Sequence, residues 1–183
     1  MNPQPTKTDN KSIGNKIFIR KQAIKSLSEV NVLDLFGGRN VLWNNIPTNR
    51  YYGVESEKNK GQNLCADSHH VLASLDLSKY NVIDVDSYGI SFDIYKYLLT
   101  DSRVQNGTIV LYTAITNEFT KIQNAAKDEF GFRKFYDKAP SLFNARAIEF
   151  FYEMLAKYGV EEVNYYEIKD NFTKHYGYFC KNR

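Results

Sequence analysis

The sequence predicts an α/β protein with a seven-stranded, mostly parallel sheet, a reversed terminal strand and helices on both faces. Three observations point there. Five short runs, Val32 to Phe36, Tyr51 to Glu55, Leu64 to Ala66, Val82 to Val85 and Thr108 to Thr113, are apolar almost without interruption. Continuous rather than alternating hydrophobicity marks strands buried on both faces. The segments between the runs are long enough for helical crossovers, as parallel pairing requires. Two further strand-like runs, Val160 to Ile168 and His175 to Cys180, are separated only by Lys169 to Lys174, which suits an antiparallel hairpin.

Taken in order, residues 1 to 15 carry Pro3, Pro5 and Gly14 among polar residues with no apolar period, and are expected to form a flexible arm. Residues 16 to 183 are expected to form a single domain. Ile17, Phe18, Ala23, Ile24 and Leu27 recur at helical intervals, predicting an amphipathic helix over Lys16 to Glu29. Ser68 to Leu75, Phe92 to Leu99 and Leu142 to Tyr158 are the other expected helices. The segment after Gly38 leaves room for about two helical turns before Pro47.

A chain of 183 residues, 43% hydrophobic and 15% aromatic, buries one substantial core more readily than two. Cys65 and Cys180 show neither a CxxC spacing nor a Cys/His ligand pattern, so a reduced compartment is expected and neither a disulfide framework nor a zinc site. With no apolar signal core and no stretch near the roughly 18 apolar residues of a membrane span, a soluble cytoplasmic protein without membrane association is expected. The net charge of +3 is uneven. Lys7, Lys11, Lys16, Arg20, Lys21 and Lys25 stand against Asp9 alone within residues 1 to 28. Such an arm can neutralise nucleic-acid phosphates, and can equally be a solvated tail followed by a polar helix face.

Four strand ends carry chemistry-bearing residues. In Asp34-Leu35-Phe36-Gly37-Gly38-Arg39-Asn40 a strand breaks into a glycine turn, where the missing Cβ lets backbone approach a ligand. A dinucleotide fingerprint is excluded, because Arg39 and Leu42 stand where its later glycines belong. Glu55 closes the next strand 17 positions after Gly38, and a carboxylate there can accept both hydroxyls of a ribose. Ala66-Asp67 follows the third strand, with Asp67 also suited to cap the helix at Ser68. The fourth run ends in Asp84-Val85-Asp86-Ser87-Tyr88-Gly89. Strand alternation puts both carboxylates on one face, and two like charges there are costly unless solvent, donors or a substrate compensates them. His69, His70 and His175 have no companions at metal-ligand spacing, and no metal is expected.

Over residues 30 to 181 these features resemble the class I, Rossmann-like, S-adenosylmethionine-dependent methyltransferases. The resemblance implies that the loop of Phe36, Gly37, Gly38 and Asn40, with Asp34 beside it in the cofactor site, wraps the methionine part and ribose of the cofactor, that Glu55 accepts the ribose hydroxyls, and that Ala66 and Asp67 meet its adenine. Asn40 stands where the family has its last glycine, and Asn tolerates a left-handed backbone. The fourth segment resembles the Asp/Asn/Ser-Pro-Pro-Tyr/Phe of nucleobase amino-methyltransferases. It is closer to the Asp-x-Asp-Pro-Phe/Tyr-Gly of tRNA methyltransferases acting on the exocyclic amine of guanine, with Ser87 in place of proline. The implied catalytic set is Asp86, Ser87 and Tyr88 together with Asp84. Asp86 and the Ser87 carbonyl would accept the N–H groups of an aromatic amine while Tyr88 stacks on the base.

Ile115 to Pro140 is longer than an ordinary connection, and both charged and aromatic. Asn117, Arg133 and Lys134, with Lys16, Arg20 and Lys21 of the basic segment, are the expected contacts to RNA or DNA; a core-facing amphipathic helix is the other account of this stretch. A protein partner could add specificity. A catalytically inactive methyltransferase-like nucleic-acid-binding subunit, and a methyltransferase of small molecules or proteins, are the alternatives.

Overall fold

The computed structural model describes residues 12–58, 63–116, 121–169 and 173–182. Asn117 and residues 1–11 therefore lie outside the described residues. Seven strands form one sheet: β1 Asn31–Asp34, β2 Arg50–Glu55, β3 Leu64–Cys65, β4 Val82–Val85, β5 Ile109–Thr116, β6 Val163–Lys169 and β7 Thr173–Cys180, in the spatial order β3-β2-β1-β4-β5-β7-β6. The first five pair in parallel, and β7 runs antiparallel to both β5 and β6. The predicted fold class is thus the observed one, with β7 the single reversed strand, inserted between β5 and β6.

The two faces of the sheet bury different elements, because successive side chains on each strand point to opposite sides. Leu33, Leu35, Ile83, Val85, Val110 and Tyr112 pack under α2 (Ser68–Ser74), α3 (Phe92–Thr100) and α7 (Ala147–Lys157). Val32, Val82, Ile109, Leu111 and Tyr176 face the other way, against Ile19 and Ala23 of α1 (Ile13–Ile24) and against Trp43 and Ile46. This second face carries Asp34, Asp84 and Asp86 at its carboxyl edge.

Four expectations need correction. Helix α1 begins at Ile13, inside the expected arm, and ends at Ile24, short of the expected Glu29. The connection after β1 contains no helix. Gly38 and Asn40 adopt left-handed φ values of 53° and 57°, which no α-helix accommodates, and a chain of turns carries Trp43 and Ile46 back to the core instead. The long helix expected over Leu142 to Tyr158 is two: α6 (Pro140–Ala145) and α7, divided at Arg146, whose φ of −100° and ψ of 11° leave the helical region. Strand β5 runs on to Thr116 because β7 pairs along it as far as Thr116↔Thr173. The rest of the expected insertion holds α4 (Asn124–Glu129) and α5 (Arg133–Tyr136). Among the described residues no helix is long and apolar enough to cross a membrane.

Candidate functional site

Register brings the acidic strand ends together. Asp34 on β1 stands directly beside Asp84 on β4, and Asp86 follows two positions later on the same face. Three carboxylates on one buried face call for compensation, and α1 supplies it. The Arg20 guanidinium donates from Nε to Asp84 Oδ2 at 2.7 Å and from Nη2 to Asp84 Oδ1 at 2.9 Å. Trp43 Nε1 donates to Asp84 Oδ2 at 2.7 Å. One turn before Arg20, Lys16 Nζ donates to both oxygens of Asp86, at 2.7 and 2.8 Å. Arg20 Nη2 is also 3.6 Å from Asp86, and the Thr113 hydroxyl donates to Asp86 from β5.

The electrostatics divide the three acids. Burial and the neighbouring Asp84 push Asp34 well above the ordinary carboxyl range. Its donors, Phe36 N at 3.1 Å and the Tyr51 hydroxyl at 3.1 Å, are both neutral. Burial alone would also raise Asp86, yet the charges of Lys16 and Arg20 hold it below its ordinary value. Burial pushes Asp84 up as well, against the opposing charge of Arg20.

The expected cofactor residues line the adjoining edge. Gly37 N donates to Val54 O at 2.9 Å and Asn40 N to Gly37 O at 2.8 Å, closing a tight turn between β1 and β2. Phe36 packs half-buried against the core. The left-handed backbone expected of Asn40 is present, and its Oδ1 is buried without a hydrogen-bond partner among the described residues. Glu55 is half-buried at the end of β2, its Oε1 accepting from Ser56 Oγ and Glu57 N, each at 3.2 Å. Ala66 N donates to Glu55 O at 3.1 Å, and Asp67 caps α2 through Oδ1, which accepts from His69 N at 2.9 Å. Ser68 Oγ donates to Leu35 O at 2.7 Å and ties the start of α2 to the end of β1.

Beyond β4 the chain turns at Gly89, where φ is 90°. Ser87 is buried, its hydroxyl donating to Gly89 O at 3.3 Å, whereas Tyr88 is 84% exposed beside it. An aromatic ring this open beside a polar strand end is available for stacking.

The expected phosphate contacts separate. Lys21 projects from α1 into solvent, but Lys16 and Arg20 turn inward, and Arg20 is only 3% exposed. Their charges are spent on Asp84 and Asp86, so they offer no free cation to a phosphate. Asp84, expected beside Asp86 in the chemistry, is 1% exposed and faces Arg20 and Trp43, which makes it a scaffold carboxylate. Asp34, expected at the turn's ligand side, is likewise buried under Tyr51. Arg133 pairs with Asp128 on an exposed surface, and Lys134 is exposed. Phe132 and Tyr136 beside them are core residues, Phe132 stacked on Phe143 and Tyr136 tilted against it, as the amphipathic account of this stretch holds. His69 reaches Asp93 at 3.3 Å, and the described residues hold no group of three or more metal-ligating side chains. Trp43, Tyr51 and Thr113 belong to the site without having been singled out in the sequence. The need to compensate Asp84 and Asp86 was the signal that could have found Trp43 and Thr113; Tyr51 serves Asp34.

The chain matches no protein-family model and no curated protein. Solved structures share its fold. A possible exported protein from Bordetella parapertussis is 10% identical with a TM-score of 0.56, the match covering 94% of this chain and 68% of that one. Trm5b from Pyrococcus abyssi is 13% identical with a TM-score of 0.51, covering 92% and 49%. EvdMO1 is 12% identical with a TM-score of 0.51, covering 93% and 41%. This chain therefore spans about half of the Trm5b chain or less of EvdMO1, and the likeness is one of Rossmann-like fold.

Proposed function

We propose that this chain is an S-adenosylmethionine-dependent methyltransferase that transfers a methyl group to an exocyclic amine of a base in RNA or DNA. The observation that carries the proposal is the convergence of the Asn40 turn, Glu55, Asp67 and the Asp86-Ser87-Tyr88 segment at the carboxyl ends of adjacent strands, where open α/β sheets bind their ligands. The buried, unpaired Asn40 Oδ1 fits the cofactor, since it lacks a donor that the cofactor's ammonium group would supply. Glu55 would accept the ribose hydroxyls, and Asp67, whose capping bond uses Oδ1 alone, would accept the adenine amine.

The bound cofactor would supply an electrophilic sulfonium methyl. The task of the chain's own residues is to hold the acceptor nitrogen. Asp86 is ionised at neutral pH, which suits it to accept an N–H and stabilise positive charge developing on the amine. The Ser87 carbonyl would take the second N–H, and Tyr88 would stack on a flipped or unpaired base.

Incubation with radiolabelled cofactor and separate RNA, DNA and protein fractions tests the proposal. Label in RNA or DNA is expected; label confined to protein, or none, rejects it. A second reading, a catalytically inactive methyltransferase-like subunit that binds nucleic acid alone or with a protein partner, is favoured by one observation: Lys16 already fills both oxygens of Asp86. Cofactor binding without transfer to any fraction would select it.

A further inference from the structure

A single nitrogen bridging both oxygens of Asp86 has the contacts that an incoming amino group would seek at the same carboxylate. We infer that Lys16 is a built-in occupant of the amine-accepting site, and that an amino-bearing base reaches Asp86 only by displacing it. The inference rests on the reading of Asp86 as the amine acceptor.

The two cations beside Asp86 are held very differently. Arg20 is buried and committed to Asp84 by two hydrogen bonds, so it stays. The Lys16 side chain keeps 15% of its surface in solvent, sits at the rim of the cluster and ends a flexible four-carbon stem. Arg20 Nη1 donates to Lys16 O at 3.0 Å, which holds the backbone of α1 in place while the ammonium swings away. The buried Tyr176 ring, 5.9 Å from Lys16 Nζ, attracts a cation from the sheet side. Asp86 is not stranded by the exchange, since Thr113 still donates to it and Arg20 remains 3.6 Å away. A neutral aromatic amine then replaces an ammonium as donor.

Displacement reduces the apparent affinity for an amine by the cost of breaking a partly buried ion pair. Removing the Lys16 charge should therefore tighten binding about five- to tenfold. The test titrates adenosine, cytidine and guanosine, with amine-free uridine as control, against the whole chain and its Lys16→Met and Lys16→Gln variants by calorimetry. Near-ultraviolet circular dichroism establishes that each variant is folded. The expected result is a gain for at least one amino nucleoside in a folded variant, absent for uridine and abolished by adding Asp86→Ala. Affinities at or below the wild-type level, or an equal gain for uridine, would overturn the inference. Methyl transfer is measured separately. A gain without transfer to any fraction removes the methyltransferase reading and leaves the occupant; transfer without a gain does the reverse.

Discussion

Arg20 and Asp84, 64 positions apart in the chain, meet through two parallel hydrogen bonds of 2.7 and 2.9 Å, with neither side chain more than 3% exposed. The planar fork of the guanidinium matches the carboxylate, and Trp43 closes on the same acid. The Asp84 carboxylate thereby fixes α1, the turn after β1 and strand β4 to one another.

Removing one partner of such a pair leaves an uncompensated buried charge. Arg20→Ala should lower unfolding stability by about 3 to 5 kcal/mol, and Arg20→Lys should recover only part because an ammonium cannot reproduce the fork. Urea titration of the three proteins measures this. A loss for Arg20→Ala below about 1 kcal/mol, the scale of exposed pairs, would show that the cluster is solvated.

Asp34 offers a pH signature of definite sign. Its carboxyl is raised from the ordinary 3.8 in the folded chain, so the folded state binds the proton more tightly than the unfolded state does. Its contribution is fully present below about pH 3.8 and is lost as pH rises towards the folded value. Asp34→Asn keeps an acceptor for Phe36 N and needs no proton. Stability measured from pH 4 to 8 should decline less in Asp34→Asn than in the wild type. Parallel profiles would mean that Asp34 ionises freely. Asp86 works in the opposite sense: its lowered carboxyl contributes above the unfolded value and loses that contribution as pH falls through the folded one.

At Gly177 the limit is steric. A Cβ there would stand 2.2 Å from Asn164 O and 2.6 Å from the Tyr112 hydroxyl, whose ring lies across the glycine to reach Tyr152 at 3.1 Å. The carbonyl belongs to the neighbouring strand and cannot yield without opening the ladder. Gly177→Ala should cost about 3 kcal/mol or more, read as a fall in the thermal midpoint. An unchanged midpoint would contradict the close packing of β6 on β7.

The proposed chemistry makes separable demands on Asp86, Tyr88 and Glu55. Asp86→Ala should reduce methyl transfer at least about 100-fold with cofactor affinity retained, and Asp86→Asn should fall between, since its amide oxygen still accepts a hydrogen bond. Tyr88→Phe should be mild and Tyr88→Ala severe if the ring stacks. Glu55→Ala should instead weaken cofactor binding by about 1.5 to 3 kcal/mol in calorimetry. Near-wild-type turnover in Asp86→Ala would end the assigned role.

Strands were legible because burial on both faces leaves an uninterrupted apolar run, as in Val82 to Val85, and because a hairpin needs few connecting residues, as between β6 and β7. The turn conformation at Asn40 was legible from the residue itself. Lys16 and Arg20 were not. Charge counted along a chain carries no direction, and the helix that turns these two inward is fixed by contacts 64 and 70 positions away. The helix expected after Gly38 failed for a local reason: two left-handed residues in close succession outweigh the space available before Pro47. Trp43 went unnoticed because an indole directly after Val41 and Leu42 reads as one more apolar residue, and shows its hydrogen-bonding role only once its acceptor is in place.

The insertion of β7 between β5 and β6 gives the order of synthesis a structural consequence. Strand β5 is complete in the nascent chain at Thr116, yet its outer ladder has no partner until residues 173–180 have been made. During that interval its open backbone and apolar side chains can pair with another chain, the hazard of every long bare strand edge. Ribosome pausing anywhere between β5 and β7 would leave that edge bare, so β7 ends the exposure of β5 by pairing with it along its whole length.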